Sequence, residues 1–148
     1  MTKGFTMIEL LVVIGITIII LSASIPIYNN FQITAQVNEN SAQITQTIRS
    51  AKNRADAGYN NSNHGVKFFV DRYILYQGEN YDSRETENDK EIILDGPIII
   101  TTTLNSNEII FTKRTGKPSE TGTINLTHEV QGSKTITINS LGLIKESD

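Results

Sequence analysis

Between Glu9 and Glu39 the chain carries no charged side chain, and from Leu10 to about Tyr28 that stretch is dominated by Ile, Leu and Val. A helix needs about 20 apolar residues to cross the hydrocarbon of a bilayer, so the stretch is long enough to span one. It is also too long and too uniformly apolar for the buried helix of a small core. Glu9 stands at the start of the run, four residues after Phe5. An ionised carboxylate there costs on the order of 2–3 kcal/mol unless something pairs with it, so Glu9 asks for a partner. An ordinary secretory signal puts its cations before the apolar core and a small-x-small cut site behind it. Ser22-Ala23-Ser24 could serve as that site, but Glu9 opens the apolar run and only Lys3 precedes it. A plain single-span anchor explains the length and leaves Gly4, Phe5 and Glu9 unexplained.

The segment Lys3-Gly4-Phe5-Thr6-Met7-Ile8-Glu9-Leu10-Leu11 resembles the class III signal of type IV prepilins and type II secretion pseudopilins: a short basic leader, Gly, then Phe-Thr-x-x-Glu running into an apolar helix. The resemblance implies a leader at residues 1–4 and a transmembrane and assembly helix at 5–28. It implies that a membrane-embedded prepilin peptidase and N-methyltransferase cuts between Gly4 and Phe5 and methylates the new amine of Phe5. It also gives Glu9 a partner, the freed Phe5 amine of a neighbouring subunit as helices stack in a filament. Apart from any family, an amine and a carboxylate in lipid offset each other's desolvation. Gly15 and Pro26 lie within the helix, and a proline there removes one backbone bond and bends the rod. The resemblance makes them points of flexibility on packing; Pro26 could equally mark the membrane exit.

Beyond Pro26 the composition turns polar, yet Ile33, Val37, Ile44, Ile48, Ala51 and Ala55 recur at helical spacing, interrupted at Asn40 or Ser41. That is one apolar stripe of an amphipathic helix over 29–58, ended by Gly58. From Phe5 to Ala57 there are 53 residues, roughly 80 Å if fully helical. A domain of 59–148 cannot cover such a length, so lipid or neighbouring helices must cover the rest.

The remainder reads as β. Strands are expected at Val66–Val70, Tyr73–Gln77, Ile92–Leu94, Ile98–Leu104, Glu108–Thr112, Thr123–Glu129, Lys134–Asn139 and Leu143–Lys145, mostly separated by Gly or Asn/Ser turns. Eight short strands after one long helix predict an α+β fold, an antiparallel sheet or sandwich packed on the helical stripe. The segments Ile110-Phe111-Thr112, Gly122-Thr123-Ile124-Asn125-Leu126 and Lys134-Thr135-Ile136-Thr137-Ile138-Asn139 look like the closing strands of GspH/FimT-type minor pseudopilins and minor pilins. That resemblance covers about the first 55 and the last 40 residues; between Tyr59 and Leu104 only the β character matches. It implies the type IV pilin-like fold.

Charge and residue inventory narrow the function. Removing Lys3 with the leader leaves 12 basic against 16 acidic side chains, a net charge of −4, so nucleic acid is not an expected partner. The chain has no cysteine, and stability after export must come from packing rather than disulfides. Some FimT-like pilins bind DNA through Gly-Arg-x-Arg; here the matching residues are Gly142-Leu143-Ile144-Lys145, without either arginine. Lys113-Arg114-Thr115-Gly116-Lys117 reads as a solvated hairpin end. His64 and His128, the only histidines, join no recognisable catalytic set, so no enzyme activity and no cofactor are expected. The acidic segment 79–91 lacks the Asp-x-Asp-x-Asp-Gly order of a calcium loop and reads as a mobile solvated loop or a partner surface.

These readings combine into one expectation: a minor pilin-like subunit with its helix in the bacterial cytoplasmic (inner) membrane and its C-terminal domain outside. It would join other pilin-like subunits in a periplasmic or cell-surface filament, with membrane lipid and an inner-membrane assembly platform as further partners. A DNA-uptake minor pilin and a membrane-anchored extracytoplasmic binding domain that never assembles are the alternatives.

Overall fold

The computed structural model of the chain describes residues 4–147, with 23–28 described by their backbone only. Met1 to Lys3 of the expected leader and the side chain of Pro26 thus lie outside the described residues. The chain divides into two units, Met1–Thr34 and Ala35–Asp148, and one helix, α1 (Met7–Asp56), contributes to both. Its helical assignment continues through Gly15 and Pro26.

In the first unit, the large apolar side chains from Phe5 to Leu21 are exposed. A Cβ built on Gly15 would meet nothing within 4 Å. Among the described residues no helix is long and apolar enough to cross a membrane. The described side chains of the apolar run end at Ser22, short of the 20 or so residues a span requires.

In the second unit, the expected stripe is the core face of α1: Val37, Ile44, Ile48, Ala51 and Ala55 are buried. The two polar residues that interrupt it are buried as well, one fastening the helix to the loop at Asp95 and the other to the C-terminal strand segment at Glu146. Asn40 Nδ2 donates to Gln36 O at 2.9 Å and to Asp95 O at 3.5 Å, and the Ser41 hydroxyl donates to Glu146 Oε2 at 3.4 Å. The helix ends where Gly58 takes a left-handed backbone, φ 63°, and its N–H donates to Ala55 O at 2.9 Å.

Among the described residues eight strands follow: β1 (His64–Phe68), β2 (Arg72–Gln77), β3 (Lys90–Ile93), β4 (Ile98–Thr102), β5 (Glu108–Phe111), β6 (Gly122–His128), β7 (Ser133–Ile138) and β8 (Ile144–Ser147). They form two antiparallel sheets, ordered β3-β2-β1-β5 and β4-β6-β7-β8. Alternation sets the inner faces: Val66 and Phe68, Ile98 and Ile100, Ile109 and Phe111, Ile124 and Leu126, Ile136 and Ile138 join the helix stripe in one core.

Segment 79–91 departs from the sequence reading. Strand β2 is buried on both faces, and on the outer face Tyr76 sits against Tyr81 of this segment. The Tyr81 ring meets the Tyr76 ring edge-on at 5.7 Å and the Phe69 ring at 5.8 Å. Arg84 lies over the Tyr81 ring at 3.8 Å while its Nε donates to Asp89 Oδ2 at 2.7 Å. Glu108 Oε2 accepts both the Tyr76 hydroxyl at 2.9 Å and the Tyr81 N–H at 3.1 Å. Burial, with the Glu108 charge beside it, pushes the Tyr76 phenol far above its ordinary pKa, so it stays a neutral donor. The acidic residues are thus mostly solvated, as expected, on a loop that Tyr81 ties to the sheet and that Arg84 braces from within. The basic segment 113–117 is not a free hairpin end either: Arg114 N–H donates to Ala55 O at 2.6 Å, docking the loop on the end of α1.

Candidate functional site

The residues singled out for processing and assembly lie at the head of α1. The helix starts at Met7, and Thr6 stands immediately before it with Glu9 three residues on. Thr6 N–H donates to Glu9 Oε2 at 2.9 Å, and the Thr6 hydroxyl donates to the same oxygen at 2.7 Å. In return Glu9 N–H donates to Thr6 Oγ1 at 3.3 Å. This is a reciprocal capping box, in which each side chain takes up a backbone donor that the first helical turn leaves free. A carboxylate in that position also faces the positive end of the helix dipole.

Glu9 therefore has donors within its own chain. Sequence reasoning looked for its partner in another subunit and missed Thr6, although Thr6-x-x-Glu9 before an apolar run is the sequence signature of this cap. The two roles are compatible. The carboxylate has about four lone-pair sites, and Oε2 alone takes up Thr6, so Oε1 stays free of those bonds.

Phe5 is 85% exposed and lies beside the cap. Phe5, Ile8, Glu9, Val12 and Val13 share one exposed face of the helix, an apolar patch with one acid in it. Gly4 and Phe5 are exposed, and a Cβ built on Gly4 would meet nothing within 4 Å. Gly15 lies farther along the same helix, so the structure brings Phe5 and Glu9 together and leaves Gly15 apart from them.

The histidines stand elsewhere. His64 opens β1 and is buried, its Nε2 3.2 Å from Tyr59 O. Burial lowers its pKa, the Tyr59 carbonyl opposes that, and Arg54 adds to it. His128 closes β6 with Nδ1 accepting from Val130 N–H at 3.1 Å. Neither faces a nucleophile or acid in these bonds; both serve the strand ends. Among the described residues no group of three or more His, Asp or Glu is placed to hold a metal ion.

No protein-family model and no curated protein matches the chain. Among solved structures it is similar to the minor pseudopilin EpsH from the type 2 secretion system of Vibrio cholerae, with a TM-score of 0.60 and 14% sequence identity. The likeness covers 76% of this chain and 96% of that one. At this identity it is the fold that is shared: a long N-terminal helix with antiparallel sheets, the pseudopilin fold.

Proposed function

We propose that the chain is a minor pilin-like subunit of the GspH/FimT type, matured by a prepilin peptidase and assembled into a type II secretion pseudopilus or a type IV pilus. The observation that carries this reading is the exposure of the apolar side chains from Phe5 to Leu21 on a helix headed by Gly4-Phe5-Thr6-x-x-Glu9. A run of this kind is stable only when lipid or other helices cover it.

In this reading residues 5–28 hold the subunit in the cytoplasmic membrane, with the β-rich unit outside, and later pack against neighbouring helices. Cleavage after Gly4 creates an amine at Phe5, one residue before the cap. Glu9 of one subunit receives the Phe5 amine of the next through the oxygen that Thr6 does not use. Gly15 and Pro26 supply flexibility as the helix changes from lipid to protein surroundings. The role is filament initiation and support of protein secretion, not chemistry.

Intact-mass measurement on membrane-extracted protein tests the reading. The expected mass lacks residues 1–4 and carries one added methyl group. A retained Met1 overturns it.

A further inference from the structure

An open, shallow patch lies on the solvent face of the last turns of α1, lined among others by Gln46, Arg49, Ser50, Asn53, Arg54 and Tyr59. Its polar groups can all donate: two guanidiniums that only donate, two amides and two hydroxyls. Among the described residues no carboxylate lines it. The one carboxylate of this helical segment, Asp56, is held by Lys52 at 3.0 Å. Arg49 and Arg54 form no ion pair among the described residues. The Arg54 guanidinium stands 6.0 Å from the centre of the half-exposed Tyr59 ring.

A cation in the last turn of a helix needs no ligand to explain it, because it complements the dipole, and Arg54 is in that turn. Arg49 is more than a turn farther in, where that effect has faded. The docked loop adds to the same pole: Lys113 Nζ donates to Asn61 O at 3.1 Å, and Arg114 packs over Gly58. Six of the 13 basic residues of a net acidic chain thus fall in 49–54 and 113–117. Glu85, which acts on neighbouring His64, is taken up by Gln77 at 2.7 Å and Asn88 at 2.9 Å.

We propose that this patch binds the phosphate group of an ester. Arg49 and Arg54 neutralise its charge, and Asn53, Ser50 and Gln46 supply further donors. Two planar forks plus three neutral donors exceed what the two oxygens of a carboxylate can take up and suit the oxygens of a phosphate. The site belongs to the second unit alone and is independent of whether the chain enters a filament.

The test is a titration of the ¹⁵N-labelled full chain, in zwitterionic detergent, with inorganic pyrophosphate at constant ionic strength. Saturable shifts are expected at the amides of Asn53, Ala57 and Tyr59. Arg49→Gln with Arg54→Gln should weaken binding at least about tenfold, as loss of charge-assisted bonds requires. Arg49→Lys with Arg54→Lys, which keeps charge and helix propensity, should weaken it by less, and Lys90→Gln on β3 should leave it unchanged. Competition by phosphatidylglycerol added to the detergent micelles assigns the phosphate to a lipid, by oligothymidylate to a nucleic acid, and by neither to a soluble ester. No saturable shift in the unaltered chain up to about 10 mM, or the same shift in the double Gln variant, overturns the proposal.

Discussion

Glu9 has two assignable roles, helix cap and charge partner, and two substitutions separate them. Thr6→Val removes the hydroxyl that donates to Glu9 Oε2 at 2.7 Å and accepts Glu9 N–H at 3.3 Å. Loss of an N-cap side chain costs about 1 kcal/mol, or about a fivefold increase in opening of the first turn. Glu9→Gln keeps an oxygen for the Thr6 N–H, since Gln serves in this cap as Glu does. It loses only the interaction of a charge with the dipole, about 0.3–1 kcal/mol. Hydrogen exchange at the Glu9 and Leu10 amides of the full chain in detergent should therefore rise about fivefold in Thr6→Val and less in Glu9→Gln. Recovery in sheared filament fractions should move the other way. In the proposed filament Glu9→Gln would leave a neighbour's amine without its counter-charge in an apolar setting, a loss of about 2–3 kcal/mol, and should lower incorporation at least about tenfold. Unchanged exchange in Thr6→Val would remove the cap, and full incorporation of Glu9→Gln would remove the charge pairing.

The second unit yields further tests. Gly116 has φ +54°, and a Cβ there would run into the Asp56 carboxylate. Gly116→Ala should cost about 1–2 kcal/mol in backbone strain plus the displacement of Asp56 from Lys52, read as a lower urea midpoint; no change would mean that the loop does not dock as described. Arg84→Ala removes both the stack on Tyr81 and the partner of Asp89, so Glu-C cleavage after Glu85 and Glu87 should become several-fold faster, and unchanged cleavage would reject the clamp. Burial lowers the His64 pKa in the folded chain, so between that value and about 6.5 the unfolded chain binds the extra proton. Stability from this group is complete above about pH 6.5 and is lost as pH falls toward the folded value; Tm should drop between pH 7 and 5.5, and less so in His64→Gln. Ile48→Ala empties a fully buried position and should cost about 2–5 kcal/mol by urea unfolding, whereas a loss below about 1 kcal/mol would place Ile48 outside the core.

What the sequence disclosed follows from the range of each interaction. The helix stripe was legible because Val37, Ile44, Ile48, Ala51 and Ala55 need only one another's spacing to mark a face. All eight strands were legible because short β-branched runs between turn residues are local signals, and their ends moved by no more than two or three residues. The anchorage of 79–91 was not, for its polarity is real and part of what holds it is distant in sequence. The Tyr81 ring must meet Phe69, and its N–H must find Glu108 on β5. A hint remained in Tyr73-Ile74-Leu75-Tyr76, since a strand apolar on both faces must be covered on both. The basic pole was hidden in the same way: Arg49 and Arg54 are separated in sequence from Lys113 and Arg114 by the whole first sheet, and only docking on Ala55 unites them.

Glu9 is the opposite case, where the signal was local and was read for another purpose. A carboxylate in an apolar run suggests a distant counter-charge, and that suggestion obscured the threonine three residues away. The cap changes what the distant partner must do. Because Thr6 already holds Oε2, a neighbouring amine has to find only Oε1, on a side chain whose rotamer is fixed before the partner arrives. Less conformational freedom is then lost on pairing. In the proposed filament Thr6 thus acts as the positioning residue for Glu9. Thr6→Ser, which keeps the hydroxyl, should assemble like the unaltered chain. Thr6→Val should assemble more weakly, although neither substitution touches the charge. Equal incorporation of the two variants would confine Thr6 to the helix end.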